Sequence, residues 1–200
     1  MSLFVIGDTH LSLSTDKPMD IFGGWKNYMQ RLEENWRSVV QPQDTVIIPG
    51  DVSWGMSLEQ AKEDFLFLHR LPGKKILMKG NHDYWWTTRA KMESFLEENG
   101  LDSLSILHNN AVSVEGLSLC GSRGWMFEQG QEHDKKIINR EAGRIRASLQ
   151  DAQRFGEQEK VLFLHYPPVF MQDSIPEFFE VMNQYGVRRC YYGHIHSQGC

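Results

Sequence analysis

A short polar run directly after a predicted buried strand carries the side chains best suited to chemistry. Lys75 to Met78 is a mostly apolar stretch that Gly80 ends, and Asn81, His82 and Asp83 follow. Ligands in open α/β sheets bind at the carboxyl ends of strands. There an amide oxygen can bind a metal ion, an imidazole can carry a proton, and a carboxylate can orient the imidazole. Alone, Gly-Asn fits an ordinary turn equally well, so the interpretation depends on the other strand ends.

The same arrangement recurs at the other strand ends, where an apolar run meets Gly or Pro and then a residue of metal-ligand type. Five of the eight histidines, His82 included, lie at these strand ends, which is more than scattered placement gives. At an extended strand end, side chains two residues apart face the same side, so the two Asp/His or His/His pairs are expected to point together. The ligand-type residues are Asp8 and His10, Asp51, Asn81, His165, and His194 and His196.

These seven candidates exceed what one four- to six-coordinate ion needs, and they suit two ions with one carboxylate between them. Two such ions clamp the attacking and leaving oxygens of an in-line displacement at phosphorus, and a water between them becomes hydroxide near neutral pH. Mixed nitrogen and oxygen ligands without thiolate favour Mn, Fe, Zn or Co. His82 remains as the acid that protonates the leaving oxygen or stabilises its charge, and Asp83 is predicted to hold the ring of His82 in the useful tautomer.

Hydrophobic periodicity supplies the elements that must position these residues. Apolar runs predict strands at Leu3–Ile6, Thr45–Ile48, Lys75–Met78, Val161–Leu164 and Val187–Tyr192, with further strands and a hairpin between Leu104 and Cys120. Helical spacing predicts helices over Trp25–Val40, over 58–69 behind a Ser57/Gln60 capping box, and over Thr87–Asn99, Asp134–Phe155 and Pro176–Gln184.

Composition places the chain among ordinary globular proteins. Its 200 residues, 40% hydrophobic and 24% charged, suit one domain spanning residues 1–200. A formal net charge of −5 disfavours a nucleic-acid binder that relies on a broad basic surface, although nucleic acid stays possible. No run is long enough to span a bilayer, and the first residues lead straight into a strand, so we expect a cytoplasmic protein without a membrane partner. Cys120, Cys190 and Cys200 fit reduced thiols.

Taken in order, Asp-x-His, Gly-Asp, Gly-Asn-His-Asp, a later His and Gly-His-x-His make the chain resemble the calcineurin-like metallophosphoesterase superfamily. The signature spans Asp8 to His196, and the chain is most similar to the small bacterial phosphohydrolases without extra domains. The resemblance implies an α/β fold, a four-layer α/β/β/α sandwich of two mixed sheets flanked by helices, with a dinuclear metal site where the sheets meet.

The resemblance also implies a division of the ligands. Asp8, His10 and His196 would hold the first metal ion, and Asn81, His165 and His194 the second. Asp51 would bridge the two ions, and His82 matches the catalytic histidine of the superfamily. Members normally continue into further strands beyond the Gly-His-x-His segment, so this sequence is expected to lack its last C-terminal strands.

The expected activity is metal-dependent hydrolysis of a small phosphorylated substrate. A phosphodiesterase or nuclease on the same site is an alternative, and a non-catalytic interaction module on the same fold is another. Arg123 could bind a phosphate through its guanidinium or could simply lie on the surface. Tyr84, with Trp85 and Trp86, could contact substrate or belong to the core. Apolar residues between Leu11 and Trp25 could form a satellite core or the rim of the site.

Overall fold

A parallel four-stranded sheet carries the N-terminal half of the chain. The computed structural model describes residues 1–126, 132–171 and 173–196, with residues 132 and 133 described by their backbone alone. The strand order is β1-β2-β3-β4, and every neighbouring pair runs parallel. Its strands are Leu3–Val5 (β1), Thr45–Ile48 (β2), Lys74–Leu77 (β3) and Leu104–Ile106 (β4).

A second four-stranded sheet follows, in the order β10-β7-β6-β5. It is mixed, because β5 pairs antiparallel with β6 through a tight hairpin while the other pairs are parallel. Its strands are Ala111–Val114 (β5), Leu117–Ser122 (β6), Glu159–Leu164 (β7) and Arg189–Tyr192 (β10). Two-residue strands Val169–Phe170 (β8) and Asp173–Ser174 (β9) form a separate small hairpin.

Helices cover the outer face of each sheet. Tyr28–Val39 (α1), Leu58–Arg70 (α2) and Arg89–Glu98 (α3) belong to the first half, and Glu132–Asp151 (α4) and Pro176–Gln184 (α5) to the second. Short 3-10 helices occupy Met19–Ile21 and Ala152–Phe155. The Ser57 hydroxyl caps α2 by accepting from the Gln60 amide, but the Gln60 side chain accepts from Met56, so only half of the predicted capping box forms.

Alternation along the strands explains why there are four layers. On β2, Val46 and Ile48 pack with the helices outside the sheet, whereas Ile47 points to the other face. On β7, Phe163 does the same and meets Ile47 in a cluster of buried side chains between the two sheets. The helices therefore form the outer layers and the sheets the inner ones, which confirms the predicted α/β/β/α architecture. The expectation of two mixed sheets holds for the second sheet only, since the first is parallel in its described strands.

The first helix begins three residues later than its periodicity predicts. Asn27 has a left-handed backbone, with φ 52°, and α1 starts at Tyr28. Trp25 shares helical spacing with Met29, but its ring packs edge-on against the imidazole of His10 at 5.8 Å between centroids. The apolar spacing therefore predicted a helix that begins too early, because it included Trp25, which packs on the candidate site instead.

Two sequence expectations can be compared directly with the described structure. Cys120 and Cys190 are free thiols, and burial raises the pKa of each to about 12, which makes them poor nucleophiles. Cys200 lies outside the described residues. Among the helices of the described chain, none combines the length and apolar character that crossing a bilayer requires.

Candidate metal centre

Six predicted ligand residues form two compact groups at the carboxyl ends of the strands. Asp8, His10 and His196 make the first group. Asp51, His165 and His194 make the second. Within each group the possible ligand atoms lie within 4.8 Å of one another, although the residues are separated by up to 188 positions in the chain. The first half of the chain supplies three of these side chains and the second half the other three, so both groups span the junction between the sheets.

The carboxylate of Asp51 lies between the two groups. Its Oδ2 is 3.7 Å from Nε2 of His10, and its Oδ1 is 3.6 Å from Nε2 of His165. One oxygen therefore faces each group, which is the placement a bridging carboxylate needs. Asn81 joins the second group, because its Oδ1 lies 2.6 Å from Nε2 of His165 and 3.0 Å from Nδ1 of His194.

Backbone conformation, rather than strand alternation, brings these side chains together. Asp8, His10, Asp51 and His194 all have positive φ, at 57°, 43°, 52° and 73°. Such conformations are uncommon outside glycine. The two side chains belong to the same ligand group, as predicted. The predicted cause, an extended strand end that carries both Asp8 and His10, is wrong, because both residues have positive φ. The Asp8 carboxylate is instead held by the backbone amide of His194, at 2.9 and 3.0 Å from its two oxygens.

The arrangement of lone pairs around Asn81 fits a bound cation. Nδ1 of His165 lies 3.1 Å from the carbonyl oxygen of Pro49, which can only accept, so Nδ1 carries the hydrogen and Nε2 a lone pair. That lone pair faces the amide oxygen of Asn81, another acceptor. In the first group, Nε2 of His10 faces Nε2 of His196 at 3.2 Å. Converging acceptors are what a metal ion binds, and a backbone carbonyl behind a ligating imidazole is a usual orienting partner.

The electrostatics of the buried groups also fit cations. Burial, followed by the positive charge that neighbouring histidines would carry, lowers the pKa of both His10 and His165 to about 3. Both imidazoles are therefore neutral at physiological pH, the form that binds metal. Burial and then the Asp83 carboxylate raise the pKa of Asp51 to about 8. A cation on each side would favour the ionised form of this carboxyl group.

His82 lies beside the ligand groups but outside both of them. Its backbone amide donates to Oδ1 of Asp51 at 2.8 Å, which fixes its Cα next to the bridging position. Burial, then the charges of His196 and Lys17, lower its pKa. Its Nδ1 is buried and has no hydrogen-bond partner in the described part of the chain.

The ring of Trp54 holds the imidazole of His82 in place, and sequence reasoning missed it. The two ring centroids are 4.5 Å apart, and the same indole stacks on His10 at 5.2 Å with an interplanar angle of 23°. Trp54 follows Asp51 by only three residues in the same strand-end loop, which is the signal that could have identified it. Trp25 lies 5.8 Å from the rings of His10 and His196, so it borders the site.

Asp83 does not orient His82 as predicted. Its carboxylate is buried and accepts from the backbone amides of Asp51, Val52, Ser53 and Gly80 at 2.7–3.2 Å. It also accepts from the indole nitrogen of Trp85 at 3.0 Å. Burial raises the pKa of Asp83 to about 6, while these donors act in the opposite direction. Asp83 therefore anchors the loop that presents Asp51.

Gly80 is required for space. An added Cβ would lie 2.0 Å from Oδ1 of Asp51 and 2.2 Å from its backbone nitrogen. Those distances are far inside van der Waals contact, and the atoms that the Cβ would meet belong to the carboxylate and backbone of Asp51. The glycine predicted from the Gly-Asn-His-Asp run thus allows two strand-end loops to approach each other.

The two candidate substrate residues occupy different sides of the site. Tyr84 is 53% exposed and its ring lies 6.2 Å from that of His82. Arg123 accepts from the backbone amides of His165 and Tyr166 through its carbonyl, each at 3.0 Å, so it directly adjoins the second group. Trp85, by contrast, is buried and packs on Phe65, so this residue belongs to the core, which was one of the two alternatives for it.

The segment before α1 divides between the two alternatives that its sequence left open. Met19 is buried, whereas Ile21 and Phe22 are 74% and 54% exposed. Trp25 borders the site. This segment therefore contributes residues both to the buried interior and to the rim of the site.

Comparison with known proteins identifies the class to which this fold and site belong. The family model for calcineurin-like phosphoesterases matches residues 1–198, so the chain belongs to that family. Membership and the two ligand-type groups support metal-dependent hydrolysis of phosphoesters as the general activity. No curated protein matches the chain.

Two solved structures are similar to this chain at low sequence identity, and the first of them shows the same fold. The phosphopantetheinyl hydrolase PptH of Mycobacterium tuberculosis is 16% identical with a TM-score of 0.56, over 97% of this chain and 82% of that one. The protein of unknown function AQ665 from Aquifex aeolicus is 16% identical with a TM-score of 0.48, over 95% of this chain and 88% of that one.

Proposed function

We propose that this chain is a dinuclear metal-dependent phosphoesterase acting on a small phosphorylated substrate. The observation that carries the proposal is the position of Asp51, with one carboxylate oxygen toward each of two ligand groups. Asp8, His10 and His196 would hold one ion and Asn81, His165 and His194 the other. The nitrogen and oxygen donors without thiolate favour Mn, Fe, Zn or Co. When bound, the ions supply Lewis acidity at the phosphoryl oxygens and activate water near neutral pH.

The remaining chemistry falls to His82. Its backbone is tied to Asp51 and its ring is held against Trp54, so the imidazole stays at the edge of the ligand groups. A group in that position can donate a proton to the leaving oxygen or stabilise the charge that develops on it. Its lowered pKa means that most of the free imidazole is neutral at pH 7, so a bound phosphate dianion is needed to favour the protonated form.

The test is hydrolysis of p-nitrophenyl phosphate with added Mn²⁺ by the wild-type chain and two variants. We expect Asp51→Asn and His82→Ala to lower turnover by about 10²–10⁴-fold. Matched controls are His69→Gln and Asp102→Asn, which lie on α2 and on an exposed turn, and these should retain wild-type rates. Unchanged turnover in both site variants would falsify the mechanism.

The competing functions are separated in the same experiments. Faster hydrolysis of bis(p-nitrophenyl) phosphate than of the monoester would point to a phosphodiesterase or nuclease. A non-catalytic interaction module would hold little metal, whereas the proposed enzyme holds about two ions per chain. Metal analysis of the protein after Mn²⁺ loading and desalting measures this directly.

A further inference from the structure

A basic cavity lies beside the second ligand group, and the catalytic proposal does not use it. It encloses about 350 Å³ and is lined by α4 and by the loops after β3, β4 and β6. Lys79 follows β3, and Arg123 follows β6. Arg140 and Arg144 stand one turn apart on α4. Trp125 and Glu141 also line the cavity.

The cavity holds more positive charge than its own acid can neutralise. Glu141 is buried, pairs with Arg144 and also accepts from the Ser122 hydroxyl at 2.8 Å. Within the described part of the chain, Lys79, Arg123 and Arg140 have no ion pair. Three unpaired cations thus share one concave surface on a chain whose formal net charge is −5. Such a concentration of like charge is costly unless an anion binds there.

The pKa of a half-buried histidine at the same cavity is affected by this charge. His108 lines the cavity and contacts Trp86 at 5.3 Å between ring centroids. Burial, and then the charges of Arg144, Lys79 and Arg123, lower the pKa of His108 to about 4. The imidazole is therefore neutral at pH 7 and adds no further positive charge. Its lowered pKa reflects the positive electrostatic potential of the cavity in addition to burial.

One aromatic ring separates the cavity from the candidate metal centre. The ring of Tyr166 lies 4.5 Å from that of His194 on one side and 6.0 Å from the guanidinium carbon of Arg123 on the other. Trp125 supports the same guanidinium at 5.1 Å. An anion in the cavity is therefore separated from the ligand groups by about the width of one side chain. Adjacent phosphates of a diphosphate share an oxygen, so a substrate that reaches from the ligand groups past the Tyr166 ring needs a longer spacer between its phosphates.

We infer that this cavity binds a second phosphate of the substrate, several bonds away from the phosphate that is hydrolysed. The inference rests on the proposed function and assigns its substrate class: small molecules phosphorylated at two separate positions. Guanidinium groups suit this role, because their planar forks donate two parallel hydrogen bonds to a phosphate. Arg123 and Arg140 are the free guanidinium groups among the described lining residues.

The test compares 1,6-hexanediol bisphosphate with hexyl phosphate, which differ only in the second phosphate. With the Mn²⁺-loaded protein we expect the KM for the bisphosphate to be at least tenfold lower. Arg140→Gln and Arg123→Gln should each reduce this preference several-fold. Arg146→Gln is the matched control, because it removes the same charge from an exposed position of α4 outside the cavity and should keep the preference.

Calorimetric titration of both compounds separates this inference from the proposed function. Tighter binding of the bisphosphate, lost in Arg140→Gln, with no turnover of any ester would retain the anion site and overturn the catalytic proposal. Turnover of both esters with equal KM values, or a preference that Arg140→Gln and Arg123→Gln leave intact, would overturn the inference and retain the phosphoesterase.

Discussion

Asp83 illustrates how a side chain from a recognisable motif can act on the backbone instead of on the substrate. Its carboxylate collects four backbone amides and one indole N–H from two different loops. Three of those amides belong to the loop in which Asp51 adopts a positive φ. The carboxylate thus compensates an uncommon backbone conformation and holds the carboxylate oxygens of Asp51 in place.

Replacing this carboxylate by its amide tests that role. In Asp83→Asn, the side-chain NH2 must face amides that are themselves donors, so we expect a loss of roughly 1–3 kcal/mol of unfolding free energy and weaker Mn²⁺ binding. Urea denaturation at pH 7.5 and calorimetric titration with Mn²⁺ measure the two effects. Asp102→Asn, at a side chain 93% exposed, is the control. Full stability with an altered pH profile of turnover would instead restore the predicted orienting role toward His82.

For individual residues, the sequence predicts which side chains belong to the candidate site better than it predicts the contacts that they make. Strand-end spacing identified the histidines and acids that converge, because chemistry restricts which side chains can bind metal. Spacing could not reveal Trp54, because its role depends on a ring reaching both His10 and His82 across two loops. Nor could it reveal that Arg140 on α4 and Lys79 after β3 share one cavity.

Among the elements, strands were predicted more accurately than the segments that leave them. β2 has the predicted bounds, and β3 is displaced by one residue. Apolar runs determine buried strands directly. The turns after β1 and β2 depend on positive φ at Asp8, His10 and Asp51, which no apolar pattern encodes. The start of α1 was missed for a related reason, since Asn27 breaks the helix with a left-handed backbone.

Strand β3, which leads to Gly80 and Asn81, contains a buried lysine that makes stability depend on pH. Nζ of Lys75 donates to the carbonyls of Leu71 and Gly73 at 2.6 and 2.7 Å. Burial lowers the pKa of Lys75 to about 8, from 10.5 in the unfolded chain. Between these values Lys75 holds a proton in the unfolded chain but not in the folded one, so the contribution of Lys75 to the free energy of unfolding should rise as pH increases.

We expect this rise between about pH 8 and 10.5, with a slope that approaches 1.4 kcal/mol per pH unit where Lys75 is neutral in the fold and charged when unfolded. Lys75→Met should remove the rise. Lys74→Met, at the exposed neighbouring position, should keep it. Denaturant titrations at several pH values provide the measurement. Above about pH 9 the buried thiols of Cys120 and Cys190, whose pKa is raised to about 12, act in the opposite direction in all three proteins. The rise is therefore the difference between the wild-type and Lys75→Met profiles, and identical profiles for these two proteins would contradict the assignment.

For the whole molecule, the main feature is that the candidate metal centre joins the two sheets. Asp8, His10, Asp51 and Asn81 come from loops of the first sheet, and His165, His194 and His196 from loops of the second. Besides the buried cluster between the sheets, the contacts of Asp8 with the His194 amide and of the Pro49 carbonyl with His165 cross this junction near the site. Bound cations would therefore link the two halves.

Metal binding should consequently stabilise the fold as one unit. At a Mn²⁺ concentration of 100 times the Kd, one site contributes about 2.7 kcal/mol, which corresponds to a rise of roughly 5–10 °C in Tm for a chain of this size. Thermal unfolding with Mn²⁺, and again after chelation, measures the shift. Asp51→Asn should lose most of it. A shift of the same size in that variant would contradict a bridging role for Asp51.

The distribution of the ligands along the chain also has a consequence for biosynthesis. Four of the seven proposed ligands precede Gly100, but the other three occur only from His165 onward, and the last of them is residue 196. A ribosome that has translated the first half has therefore produced an incomplete set, which lacks the partner histidines for both ions. The proposed centre can therefore be completed only after His194 and His196 emerge, by which time β10, the last strand of the second sheet, has already been synthesised.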